Sequence, residues 1–183
     1  MSRGFTKEDD SQQPPIVPPR AALPPGTPNY VTPYGLEQLR AELATLEAER
    51  AQAEANRENE TDRTRQLSLY NGRIALLTER LASAKVVDPR GQPAKEVRFG
   101  ATVLLRTVSG GKVGFERRFT IVGVDEASVA EGKVAFVAPI ARAVLGAKLG
   151  KTVALKLGPK EEVVEVAAIS YEPASAAPAG ARP

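Results

Sequence analysis

Two runs of apolar residues at alternating steps of three and four constrain this chain: Leu36, Leu39, Leu43 and Leu46, then Leu67, Tyr70, Ile74, Leu77, Leu81 and Ala84. Such steps place each run on one stripe of a helix, and two stripes joined by a short polar gap zip into an antiparallel coiled-coil hairpin. Thr32-Pro33 supplies a start signal, with Thr accepting from an exposed amide as N-cap and Pro suiting the first helical position. The first helix is therefore expected from about Pro33 into the mid-fifties. Setting Leu36 and Leu39 opposite Ala84 and Leu81 puts the turn near residue 60 and the tip at Arg57 to Asp62. Arms of ~25 residues make a rod of ~38 Å at 1.5 Å rise per residue. Beyond Leu46 the stripe passes through Arg50, Ala53, Arg57 and Glu60, so apolar packing fades toward the tip. Glu37/Arg40, Glu47/Arg50, Glu54/Arg57 and Glu60/Arg63 stand three apart on the outer face. Pairs of this kind are worth about 0.3 kcal/mol each and mark a solvated surface.

Composition removes most catalytic chemistry. The chain has no Cys and no His, which excludes thiolate nucleophiles, imidazole bases, Ser-His-Asp triads, Cys/His zinc sites and disulfides. No N-terminal apolar run is long enough for a signal peptide or a membrane span, so a cytoplasmic protein is expected, without cofactor or structural metal. The net charge of +3 is spread thinly. Residues 1–33 carry three bases and three acids, residues 34–95 ten of each, and residues 96–172 eleven bases against nine acids. Such a balance forms no basic stripe and, with few aromatic platforms, argues against autonomous DNA or RNA binding despite a pI near 9.3.

After Lys85 the pattern changes from helix to strand. Val97 to Val108, Phe115 to Val124 and Lys133 to Val137 are β-branched runs separated by turns such as Ser109-Gly110-Gly111. Ala138 to Gly146 reads as a short helix with Pro139 at its start and Gly146 just past its end. Strands at Thr152 to Leu157 and Glu162 to Ser170 complete an antiparallel sheet of some five strands over one helix, an α+β domain. Four segments follow: a disordered proline-rich arm (1–31), the hairpin (32–87), the C-terminal domain (96–172) and a disordered tail (173–183). Eight of the fifteen prolines fall in the first thirty-three residues. Proline fixes φ and removes amide donors, so the arm is extended, with Ile16, Val17 and Leu23 as its few adhesive residues.

Tyr30-Val31-Thr32-Pro33-Tyr34-Gly35-Leu36-Glu37-Gln38-Leu39 resembles the opening of the bacterial transcription elongation factors GreA and GreB, and Gly72-Arg73-Ile74 with Leu81 to Asp88 resembles the return helix of their coiled coil. Phe99 to Val103, Ile121 to Ala127 and Pro139 to Gly146 are similar to the C-terminal domain of the same family, in the same order. The resemblance spans residues 30–172. It implies an FKBP-like C-terminal domain that docks on RNA polymerase near its secondary channel, with the hairpin inserted toward the active centre. The docking loop would include Val137, Ala138, Pro139 and Ile140, with Arg142 beside it, although Ala138 stands where Ser is usual. Family members hold a magnesium with acidic tip residues and provoke cleavage of backtracked RNA, completing chemistry that the polymerase performs. DNA and RNA would be met only inside that complex, and the chain would act as a monomer.

The tip departs from the family. Cleavage-stimulating members carry a G-D-L-S-E-N-A-E-Y-like sequence there, on a hairpin longer by roughly one heptad, or ~10 Å, per arm. This chain has Arg57, Glu58, Asn59, Glu60 and Asp62, of which only Glu58-Asn59 matches. Arg57, Arg63 and Arg65 compete with any divalent ion for Glu54, Glu58, Glu60 and Asp62. The expectation is a short-hairpin relative, similar to the Rnk-type regulators, which modulates elongation without stimulating cleavage and has no catalytic residue of its own. The alternatives are a cleavage factor with a rewired acidic tip and, from another class, a peptidyl-prolyl isomerase. An isomerase needs an aromatic-lined pocket, whereas Phe99, Phe115, Phe119, Phe136 and Tyr171 all stand at strand positions suited to core packing.

Overall fold

The computed structural model describes residues 15–156 and 158–171. The first fourteen residues of the arm and the tail from 173 lie outside them. Thr32 caps the first helix, its Oγ1 accepting from Gly35 N at 3.0 Å, and α1 runs Pro33–Ala55 with Pro33 in the first turn. After four intervening residues α2 spans Glu60–Ala82. Each arm has 23 residues, a rod of ~34 Å. The turn is earlier than expected, centred between Arg57 and Glu58, because two asparagines frame it. Asn56 Oδ1 accepts from Glu58 N at 2.9 Å, and Asn59 Oδ1 caps α2 by accepting from Asp62 N at 3.1 Å. The seam buries Leu39, Leu46 and Leu77, with Leu36, Leu43, Tyr70, Ile74 and Leu81 packed against them.

A strand pair closes the base of the hairpin. β1 (Asn29–Val31) enters α1 and β2 (Ala84–Val86) leaves α2, and the two run parallel, Asn29 opposite Ala84 and Val31 opposite Val86. Parallel neighbours need a long crossover, and the whole hairpin is that crossover. Asn29 is buried and donates to Arg80 O and Ser83 Oγ, satisfying carbonyl and hydroxyl groups at the end of α2. Residues 15–31 were expected to belong to a disordered arm. In the structure Asn29–Val31 is a strand and the stretch before it lies against the hairpin, held by side chains described below.

The C-terminal sheet has the order β5-β4-β3-β7-β6, from β3 (Thr102–Ser109), β4 (Glu116–Val122), β5 (Lys133–Ala135), β6 (Thr152–Lys156) and β7 (Glu161–Ser170). It is mixed rather than antiparallel throughout, since β5 runs parallel to β4. Ten residues, Gly123 to Gly132, separate those strands, enough to carry the chain back to the same end of the sheet. β3 starts five residues later than its β-branched run, because Gly100 adopts φ +85° and breaks the extended path, while Val97 and Phe99 still point into the core. On the inner face Val103, Leu105, Phe119, Ile121, Leu155, Val164 and Val166 are buried against Ala141 and Val144 of α3 (Pro139–Val144). No helix among the described residues is long and apolar enough to cross a membrane.

Candidate functional sites at the tip, the short helix and the hairpin base

At the tip, Arg57, Glu58, Asn59, Glu60 and Asp62 are all exposed. Asn59 Nδ2 donates to Asp62 Oδ2 at 2.7 Å, and Arg63 lies 3.8 Å from Glu60 while also reaching Asn56 O. Glu60 and Asp62 sit in the first turn of α2, where carboxylates complement the exposed amides and the positive end of the helix dipole. That placement gives both acids a helix-stabilising role. A hard divalent cation needs several oxygens converging on one point. Among the described residues no group of three or more His, Cys, Asp or Glu side chains is placed to hold a metal ion.

The short helix presents a second surface. Ala138 is the N-cap of α3 with extended backbone and no side-chain hydrogen bond to the exposed amides, as expected for a residue without a hydroxyl. Pro139 and Arg142 are exposed, whereas Val137 and Ile140 are half-buried against the core. The five residues therefore divide: two pack, two face solvent, and Ala138 joins them. Phe99 and Phe136 meet Tyr30 of β1 with ring centroids 5.7–5.8 Å apart, so these three aromatics fill each other's space. Phe119 is buried, Tyr171 is tied to Glu96 O and Arg98 N, and Phe115 is half-exposed under the Arg117 guanidinium at 5.0 Å.

Sequence reasoning missed the third site, where the rod meets the sheet. The crossover after β4 carries Asp125 and Glu126 to the hairpin base. Glu126 is only 6% exposed, and its carboxylate accepts from Thr32 N (3.1 Å), Thr32 Oγ1 (2.5 Å) and Gly123 N (3.3 Å). Thr32 Oγ1 thus donates to Glu126 while accepting from Gly35. Gly35 and Gly123 are small because this carboxylate and the β1 backbone lie against them: a Cβ at 35 would overlap Glu126, and one at 123 would stand 2.8 Å from Tyr30 O. Asp125 is paired with Arg20 at 2.9 Å, and Arg80 stands 3.5 Å away. Arg20 also forks Glu42 of α1 and holds that carboxyl below the usual carboxylate range. The signal available in sequence was a pair of acids inside a β-branched segment, Val122-Gly123-Val124-Asp125-Glu126; its partner, Thr32, is ninety-odd residues away.

This geometry defines a class of protein: a coiled-coil rod joined at its base to a sheet domain, with an exposed polar tip at one end and an exposed helix-start loop on the domain. The family described as transcription elongation factor, GreA/GreB, C-term matches residues 92–171. The chain is 35% identical to transcription elongation factor GreA of Thermodesulfovibrio yellowstonii, over 78% of this chain and 96% of that one. It is 35% identical to transcription elongation factor GreB of Neisseria meningitidis, over 79% and 95% respectively. Among solved structures, a GreA/GreB factor from Nitrosomonas europaea matches 78% of this chain and 98% of that one at 24% identity with a TM-score of 0.38. The chain belongs to the GreA/GreB family of transcription elongation factors.

Proposed function

We propose that this chain binds RNA polymerase through the loop before α3, inserts its hairpin into the secondary channel, and modulates elongation without stimulating transcript cleavage. It has no catalysis of its own in this reading; the polymerase supplies the chemistry, and the nucleic acids are met only within the complex. The observation that carries it is the tip, where Glu60 and Asp62 sit in the first turn of α2 and meet Arg63 and Asn59 instead of converging on a cation position. Length supports the same reading. The alignment to the Thermodesulfovibrio factor runs over 156 positions yet takes 78% of the 183 residues here, about 143, so about 13 positions have no residue in this chain. We assign them to the hairpin, because a coiled coil can lose whole heptads without re-routing a sheet, and their loss shortens the rod by ~10 Å.

The test is a stalled, backtracked elongation complex mixed with the purified chain. The expected result is no acceleration of RNA cleavage, together with concentration-dependent inhibition of cleavage stimulated by a GreA protein. Robust cleavage that disappears in Glu58→Ala or Asp62→Ala would instead identify a rewired catalytic tip. Absence of competition would remove the secondary channel from the proposal.

A further inference from the structure

The arm carries a pattern that the family reading leaves unused. Across residues 16–24 only Val17, Arg20 and Leu23 are partly buried, while Ile16, Pro18, Pro19, Ala21, Ala22 and Pro24 are exposed. Burial at every third residue is the signature of a polyproline II segment with one face against a surface, since that helix has three residues per turn. Pro18-Pro19 fixes φ in the middle of it.

Each buried residue meets a different part of the molecule. Val17 sits over Gly72, in the middle of α2, where glycine weakens a helix relative to alanine. A Cβ at 72 would overlap Val17 Cγ2, so the missing side chain is the notch that admits the valine. One polyproline turn on, Arg20 places its guanidinium between two elements. It gives two hydrogen bonds to Glu42 of α1 at 2.8 and 2.9 Å and two to Asp125 Oδ1 of the crossover at 2.9 and 3.1 Å. Its side chain is only 17% exposed and that of Asp125 8%, so the pair is shielded from solvent and salt. Arg80 of α2 fastens the backbone, donating to Ala21 O at 2.5 Å. A further turn on, Leu23 packs on the core of the C-terminal domain.

We propose that residues 17–23 are a polyproline strap that clips the hairpin to the C-terminal domain and sets the angle at which the rod leaves the sheet. The strap joins α2, α1, the crossover and the domain core within seven residues, so releasing it removes the tie through Arg20 between α1 and Asp125 and leaves the angle to the contacts at the hairpin base, Glu126 with Thr32, Arg80 with Asp125 and Tyr30 against Phe99 and Phe136. This inference goes beyond the polymerase-binding proposal and does not depend on it.

The experiment uses the full chain without polymerase, so its failure is distinct from failure of the proposed function. The chain has no native cysteine, so paired spin labels introduced at Asp62→Cys and Lys160→Cys report the tip-to-domain distance directly. The expected result is one narrow distribution for the parent and a distribution about twice as broad for Val17→Asp and for Arg20→Glu, with far-UV dichroism unchanged. Trypsin provides the second readout. Cleavage after Arg20 should be about tenfold faster in Val17→Asp than in the parent, because the scissile bond is held against α2 only while the strap is seated. Pro18→Gly/Pro19→Gly, which keeps every contacting side chain, should give intermediate values in both. Unchanged distances in the folded variants would overturn the strap as the element that sets the angle, whether or not cleavage accelerates. Equal cleavage rates would show that the arm is not seated at all.

Discussion

The hairpin base is decided by single atoms, and Gly35 shows how. In an exposed helix interior, Gly→Ala stabilises by about 1 kcal/mol through backbone entropy and helix propensity. At position 35 the added methyl would meet the Glu126 carboxyl group, which three hydrogen bonds hold in place, so relief would break bonds between the rod and the sheet. Gly35→Ala is therefore expected to destabilise the chain, measured by thermal or urea unfolding; a gain in stability would mean that Glu126 moves freely. Glu126→Ala, which leaves two buried amides and a hydroxyl without an acceptor, should cost about 2–4 kcal/mol. Glu42 adds a pH dependence. Its hydrogen bonds to Arg20 depress its folded-state pKa, and a depressed carboxyl contributes stability that is present above its unfolded pKa and lost as pH falls through the folded value. Acid unfolding profiles should show this loss in the parent and a weaker one in Arg20→Ala. Identical profiles would show that the pair contributes nothing to stability.

At the level of elements, the hairpin was the most legible part of the molecule because the coiled-coil repeat is local: each leucine's partners are specified by steps of three and four. Leu77 is fully buried and Leu43 only partly, so the seam is uneven. Leu77→Ala should destabilise by about 2–5 kcal/mol and Leu43→Ala by clearly less, read from chemical denaturation of the full chain. Equal losses would contradict the packing. The turn falls earlier than the apolar stripes place it because it depends on which asparagine becomes the cap, and Asn56 and Asn59 offer two choices that the stripes do not separate. β1 and β2 could not be found from pattern, since three residues are too few to show alternation and their pairing is stabilised by a fold that brings positions 29 and 84 together. β5 was seen as a strand, but its direction depends on the path of residues 123–132, which no periodicity encodes.

Over the whole molecule, α+β composition, two parts and family could all be read from sequence, whereas the contacts joining the parts could not. Arg20, Thr32, Asp125 and Glu126 are polar residues whose meaning arises only when segments about a hundred positions apart are adjacent. The loop proposed to dock is intermediate: its residues are named from the sequence, and the structure sorts them into Val137 and Ile140, which pack inward, and Pro139 and Arg142, which face solvent. That division yields a prediction that separates folding from function. Proline at the first turn of α3 makes no use of an amide and fixes the entry into the helix, so Pro139→Asn removes rigidity without opening a cavity. Stability should change by about 1 kcal/mol or less. If this exposed loop contacts polymerase, the ordering that proline had supplied in advance must then be met on binding, and affinity should fall several-fold in a direct binding titration. Ile140→Ala should show the opposite balance, a larger loss of stability, because its side chain is packed on the domain core. A folded Pro139→Asn chain that bound polymerase as tightly as the parent would move the contact away from this loop.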